Sequence, residues 1–244
     1  MIEIYSLKTK RELNDGERQQ ALDILTPERK AKALRFRRFE DQNKGIATGV
    51  LEAYVLWKYA GLCGDALQIA KNEQGKPYLL QRPDVHYNIS HAGDWIVCGV
   101  GGQPMGIDVE QNSKYSERIV KRFFHESETE SILALPEGER EALFARYWTM
   151  KESFMKLAGL GFALPLSSFA VNPENGEVAI LPAVSRDNAN ILKEQGLMGK
   201  EKPICQFIEL ETGYQCSLCT KGKTTIRVQQ LKLEECIEEL LSAN

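Results

Sequence analysis

Apolar and polar positions alternate at the start of the chain, through Ile2, Glu3, Ile4, Tyr5, Ser6 and Leu7, and that period of two predicts a short strand. A polar stretch follows. At Thr26-Pro27-Glu28 a threonine in the N-cap place, a proline at the first helical position and an acid beside it mark a helix start. The helical region carries RKAKALRFRRFEDQNK and then GIATGVLEAYVLWKYAGL, where Ile46, Val50, Ala53, Tyr54 and Trp57 return at steps of three and four. One face there is expected to be buried. Residues 85–90 (VHYNIS) alternate, HAGD turns the chain and WIVCGVG resumes extended structure, which predicts a hairpin. Past Gly-Gly-Gln-Pro, GIDVE reads as another short strand. An acidic-basic helical region is expected from about Ser116 to Leu135, then a long helix ending near Gly159. FAVNP, EVAIL, CQFIEL, YQCSLCT and TTIRVQQL are strand-forming segments. Helices and strands mix without a regular βαβ alternation, which favours an α+β fold. Both halves place helices before antiparallel strand candidates, so two lobes joined near Gln103 are expected, 1–103 and 104–244.

The 244 residues are 43% hydrophobic and 27% charged, enough apolar material for one large core or two small ones. A net charge of -3 argues against a general nucleic-acid coat, so any anion site must be local. The first residues soon become charged and no apolar run reaches membrane length, so neither signal peptide nor span is expected, and the cytoplasm is the expected location. Six scattered cysteines read as free thiols of a reducing compartment. Cys216 and Cys219 form a CxxC, but YQCSLCT reads as a strand, where positions three apart face opposite sides, and no second ligand pair accompanies it.

Candidate chemistry lies in three segments. If Gly106-Ile107-Asp108-Val109-Glu110 is a strand, Asp108 and Glu110 share one face while Ile107 and Val109 point into the core. Two neighbouring acids need protons or a shared cation, and a magnesium ion with phosphate oxygens suits such a pair; a solvated strand face is the plain alternative. On the long helix, Leu143, Tyr147, Met150, Phe154 and Leu157 form an apolar stripe, with Trp148, Glu152 and Lys156 projecting opposite it. Glu152 is either a third oxygen ligand beside a phosphate-binding Lys156, or half of an exposed ion pair. Ser90 and His91, where a strand approaches a turn, can meet an anion; a serine nucleophile is disfavoured because neighbouring strand residues face apart and no GxSxG elbow is present.

NISHAGDW, GIDVE and WTMKESFMKLAGLG, in that order, resemble the signature of the Sfp-type 4'-phosphopantetheinyl transferases. TPERKAKALRF, NEQGKPY, VKRFF and LPLSSFAV extend the likeness over roughly residues 1 to 175. The resemblance implies two similar lobes, each a small antiparallel sheet packed with helices, with the active site at their interface. It implies transfer of the 4'-phosphopantetheine arm of coenzyme A to a serine of an apo acyl or peptidyl carrier protein, releasing adenosine 3',5'-bisphosphate. Asp108, Glu110 and Glu152 would hold magnesium, with manganese as a substitute. Lys156 would neutralise pyrophosphate charge, Ser90 and His91 would contact coenzyme A phosphates with Lys76 nearby, and Arg29 and Lys32 would bind the adenosine phosphates, with Arg37 and Arg38 as secondary candidates. Glu152, Lys156 and His91 form the implied catalytic set, Glu152 as general base with Glu128 as an alternative. The family implies a monomer and neither nucleic-acid nor membrane partners. Arg29 stands where the family pattern has lysine, and Gly45 where it has a hydroxyl residue. Rival readings are another magnesium phosphotransferase or nuclease, and a non-catalytic carrier-binding module.

Overall fold

A computed structural model describes residues 1–9, 13–112 and 115–243, without the side chain of Asp65. In chain order the elements are β1 (Ile2–Lys8), α1 (Asp15–Ile24), α2 (Pro27–Leu34), α3 (Phe39–Ala60), β2 (Ile69–Lys71), β3 (Pro77–Leu79), β4 (His86–Ala92), β5 (Trp95–Gly101) and β6 (Met105–Gln111). There follow α4 (Glu117–Phe123), α5 (Glu126–Leu133), α6 (Arg140–Ala158), β7 (Phe169–Val171), β8 (Val178–Ile180), α7 (Arg186–Glu194), β9 (Pro203–Phe207), β10 (Tyr214–Lys221), β11 (Ile226–Leu231) and α8 (Leu233–Ala243). The fold is α+β, as expected.

The polar stretch after β1 falls partly on residues 10–12, outside the described residues. From Asp15 it is helix α1, opened by a capping box in which Asn14 accepts from the Glu17 amide and Glu17 reaches back to the Asn14 amide. Thr26 caps α2 as its position predicts, accepting from the Arg29 amide. Both long helices, α3 and α6, end on glycines in the left-handed region, Gly61 and Gly159, where an L side chain would be strained.

Two compact units divide the chain, residues 1–70, 77–102 and 226–244 in the first, residues 71–76 and 103–225 in the second. One break between the units falls between residues 102 and 103, and two segments, 71–76 and 226–244, belong to the unit opposite the one their place in the chain suggests. Residues 226–244 join the first because β11 pairs in parallel with β1, Ile2 opposite Ile226 through Leu7 opposite Leu231, while Cys236, Ile237 and Leu240 of α8 enter its core. Residues 71–76 join the second through bonds described below. The first unit's sheet, in the order β11-β1-β5-β4, is therefore mixed rather than purely antiparallel. Its core combines Ile46, Val50, Leu51 and Val55 of α3 with Leu7, Ile96 and Val100 of the sheet.

The second unit's sheet is antiparallel, β6-β10-β9. Helix α6 lies directly on it. Gly106 makes this possible, since a Cβ there would strike the Ser153 carbonyl oxygen and the Leu157 amide of α6 and stand 2.8 Å from Lys156 Cβ. Its other flank packs on a core that includes Phe144, Tyr147, Phe154 and Leu157, so α6 is buried on two sides, and a single apolar stripe is too narrow a description. Trp148 stacks on Phe124 and tilts against Phe144, joining an aromatic cluster. In β10, Cys216 is level with Val109 and Cys219 with Gly106, so the two thiols face opposite ways, and all six cysteines are free. No helix among the described residues is long and apolar enough to cross a membrane.

Candidate active site

The period of two along β6 and the close seating of α6 decide where the acids go. Gly106 faces α6, so Asp108 and Glu110 face it too, while Ile107 and Val109 are buried on the other side of the sheet. Lys156, in the last turn of α6, donates to Asp108 Oδ1 at 2.7 Å and to the Ile107 carbonyl at 3.1 Å. Asp108 is 4% exposed, so this is a shielded ion pair rather than a surface one. One helical turn earlier stands Glu152. Its carboxyl is pushed up to about 7, first by burial and then by the negative charge of Asp108, with Lys156 opposing and Glu110 adding to the rise. Strand and helix therefore bring Asp108, Glu110, Glu152 and Lys156 into one electrostatically coupled group.

That group carries three carboxylates against one ammonium, an imbalance of the kind a divalent cation relieves, and its donors are the hard oxygens that magnesium prefers. Among the described residues no three His, Cys, Asp or Glu side chains form a ready-made metal cage. Against Asp108 lies the ammonium of Lys156. In charge and donor type the set fits the ion.

The C-terminal end of α6 is fixed by side chains that take up its last carbonyls. Lys76 Nζ donates to Leu157 O and Met105 O, both at 3.1 Å, Gln195 Nε2 to Ala158 O at 3.0 Å, and Asn72 Nδ2 to Gly159 O at 3.0 Å. Asn72 Oδ1 in turn accepts from the Lys76 amide at 2.8 Å, which shapes the turn 71–76. Lys76, expected beside coenzyme A phosphates, thus has its ammonium on main-chain carbonyls, and burial pushes it down to about 8. Its position holds α6 against β6.

Glu128, the alternative base, is in the wrong place for that role. It is 1% exposed and its carboxylate is fully engaged, Oε2 with Lys151 Nζ at 2.8 Å and with the His125 amide at 2.9 Å, Oε1 with the Val171 amide at 2.8 Å. Lys151, equally sealed, also donates to Leu166 O and Phe169 O at 2.8 Å. This network ties α5, α6 and β7 together. Lys151 carries no motif of its own, and its place between the apolar stripe and the Trp148, Glu152 and Lys156 face is the one local signal that it points elsewhere.

In the first unit, Ser90 and His91 are successive residues of β4, opposite Val97 and Ile96 of β5. Ser90 is buried and His91 exposed, so their side chains lie on opposite faces of the sheet. The turn to β5 contains Gly93, whose φ of 52° only glycine adopts readily. Arg29 and Lys32 stand three residues apart on α2, Arg29 half-buried and Lys32 exposed. Arg37 and Arg38 are exposed, and Arg38 pairs with Glu40 at 3.1 Å. Gly45 lets α3 approach α2, since a Cβ there would come within 3.3 Å of Ala33 Cβ.

Comparison with known proteins agrees with this two-part layout. A domain described as "4'-phosphopantetheinyl transferase superfamily" matches residues 104–219, and one described as "4'-phosphopantetheinyl transferase, N-terminal" matches residues 14–101. The chain is 36% identical to the 4'-phosphopantetheinyl transferase Sfp of Bacillus subtilis over 180 residues, covering 73% of this chain and 80% of the relative. It is 32% identical over 234 residues to the 4'-phosphopantetheinyl transferase psf-1 of Bacillus pumilus, covering 93% and 94%. A mouse relative, L-aminoadipate-semialdehyde dehydrogenase-phosphopantetheinyl transferase, is 27% identical over 174 residues, covering 65% of this chain and 56% of its own.

Proposed function

The chain belongs to the 4'-phosphopantetheinyl transferase superfamily, and from that premise we propose how its residues divide the work of moving the 4'-phosphopantetheine arm of coenzyme A onto a carrier-protein serine. The observation that carries the proposal is the coupled group of Asp108, Glu110, Glu152 and Lys156 where β6 meets α6. Asp108, Glu110 and Glu152 would hold magnesium, which manganese could replace. When bound, the ion neutralises phosphate charge and stabilises the departing oxygen.

The protein's own groups then have separable tasks. Arg29 and Lys32 bind the adenosine phosphates, and Ser90 and His91 contact phosphate oxygens of coenzyme A, which gives an acidic protein a local cationic site. Lys156 offsets pyrophosphate charge. The carrier serine oxygen attacks the phosphorus bearing the pantetheine arm, a new phosphodiester forms, and adenosine 3',5'-bisphosphate leaves. Glu152 takes the serine proton. Its place on α6 beside Asp108 and Lys156 suits that role, since carboxylates commonly act as general bases. Lys76 supports the site by fixing the end of α6. We place the protein in the cytoplasm as a monomer acting on an apo acyl or peptidyl carrier; its free cysteines accord with a reducing compartment.

Mass spectrometry of apo-carriers incubated with the protein, coenzyme A and magnesium tests this directly. Transfer is expected, with loss on chelation, and Asp108→Ala and Glu152→Ala should each lower the rate by about two orders of magnitude or more while the protein stays folded. Near-wild-type turnover by both variants would refute the carboxylate site.

A further inference from the structure

Arg29 does not hang free from α2. Its Nε lies 3.1 Å from Glu52 Oε2, and the other oxygen of that carboxylate, Oε1, accepts a hydrogen bond from the Tyr87 hydroxyl at 3.2 Å. Glu52 stands on α3 and is 8% exposed, while Tyr87 on β4 is 2% exposed. A carboxylate so buried requires a partner for each oxygen, and here a cation from α2 and a hydroxyl from β4 supply them. The path of the arginine is shaped as well. Gly49, three residues before Glu52, leaves the space in which Arg29 lies, since a Cβ there would come within 3.1 Å of Arg29 Cγ and Nε and 2.8 Å of Leu25 Cδ2.

The choice of arginine over lysine then has a reason. A guanidinium is planar and spreads its charge over three nitrogens, so it can keep an ion-pair contact with a carboxylate on one side and turn its terminal nitrogens to a phosphate. An ammonium is a single point of charge that Glu52 would hold for itself. The side chain of Arg29 is still 18% exposed beyond this contact.

We propose that Glu52 is a positioning residue for coenzyme A: anchored by Tyr87, it orients the Arg29 guanidinium, for which Gly49 leaves room, toward an adenosine phosphate. This rests on the reading that Arg29 binds that phosphate. Steady-state transfer to an apo-carrier, with coenzyme A varied, tests it in the wild type, Glu52→Gln, Tyr87→Phe, Arg29→Ala and the double variant Arg29→Ala/Glu52→Gln. Glu52→Gln is expected to raise KM for coenzyme A about fivefold or more through lost preorganisation, with KM for the carrier unchanged and kcat within about twofold. Tyr87→Phe should shift KM the same way by less; if Glu52→Gln does not fold, this milder change carries the test. In the Arg29→Ala background, Glu52→Gln should add nothing. An unchanged KM in both single variants would overturn the proposal, and so would an equal rise in KM when Arg29 is already absent. No transfer by the wild type would instead overturn the transferase reading, which separates the two failures.

Discussion

Replacing Gly106 with alanine perturbs a place where strand β6 and helix α6 touch backbone to backbone. The added Cβ would meet the Ser153 carbonyl oxygen and the Leu157 amide, neither of which can swing aside as a flexible side chain would. Even the softest of the three neighbours, Lys156 Cβ at 2.8 Å, must retreat by more than half an ångström to reach the ordinary contact distance of 3.4 Å. Overpacking typically costs 1–3 kcal/mol, and a clash with main chain belongs at the upper end, about 3 kcal/mol. For a chain of this size that lowers Tm by about 6–12 °C. The same retreat separates Asp108 from Glu152 and Lys156, and misplacement on the order of an ångström in such a group costs about 100-fold in rate. Thermal unfolding by circular dichroism and transfer by mass spectrometry give the two readouts. Gly102→Ala is the control, because a Cβ there meets nothing within 4 Å. A Gly106→Ala protein with wild-type Tm and turnover would refute the account of how the acids are brought together.

Other expectations follow from the same geometry. Because the Glu152 carboxyl is raised from 4.5 to about 7, the folded state binds its proton more tightly than the unfolded chain does. Its stabilisation is therefore complete below pH 4.5 and lost as pH rises through 7, so the metal-free protein should become less stable across that window by about 3 kcal/mol. Glu152→Gln should flatten the Tm-against-pH curve there, and an unaltered slope would contradict the assignment. Lys151→Met leaves the Glu128 carboxylate buried without its cation and should destabilise by about 3–5 kcal/mol, visible as a large fall in Tm that Glu128→Gln partly restores. Reversing charge at both Arg29 and Lys32 should weaken coenzyme A binding, measured by calorimetry, more than it slows turnover at saturation. An ordinary dissociation constant would reject that phosphate site.

Local chemistry made much of this legible. Thr26-Pro27 announces a helix, Gly159 ends one, HAGD turns a hairpin, and a period of two puts Asp108 beside Glu110, all because each signal is written within a few residues. Features that depend on distant partners were harder to see. The Asn14…Glu17 capping box was a readable start for α1, but its polar sequence has little apolar periodicity to support it. Gly106 looks like any strand glycine until a helix some fifty residues later is laid on it. Lys76 has the character of a phosphate ligand, yet its bonds are to carbonyls of β6 and of the end of α6 that only the fold brings together. Lys151 and Glu128 disappear into the interior because each is the other's partner, a pairing no single stretch of sequence discloses. Arg29 was visible as a cation, whereas its anchor on Glu52 needed α3 and β4 to be in place.

The parallel seam between β1 and β11 sets a timetable for biosynthesis. A ribosome releases β1 before β11, which follows only after the whole of residues 103–225 has emerged, a wait on the order of ten seconds at usual elongation rates. Throughout that interval one margin of a strand bearing Ile2, Ile4 and Leu7 has no β11 beside it, so the nascent chain is exposed to mispairing and open to chaperones until its closing segment arrives. Translation speed through residues 103–225 should therefore govern how much of this protein matures.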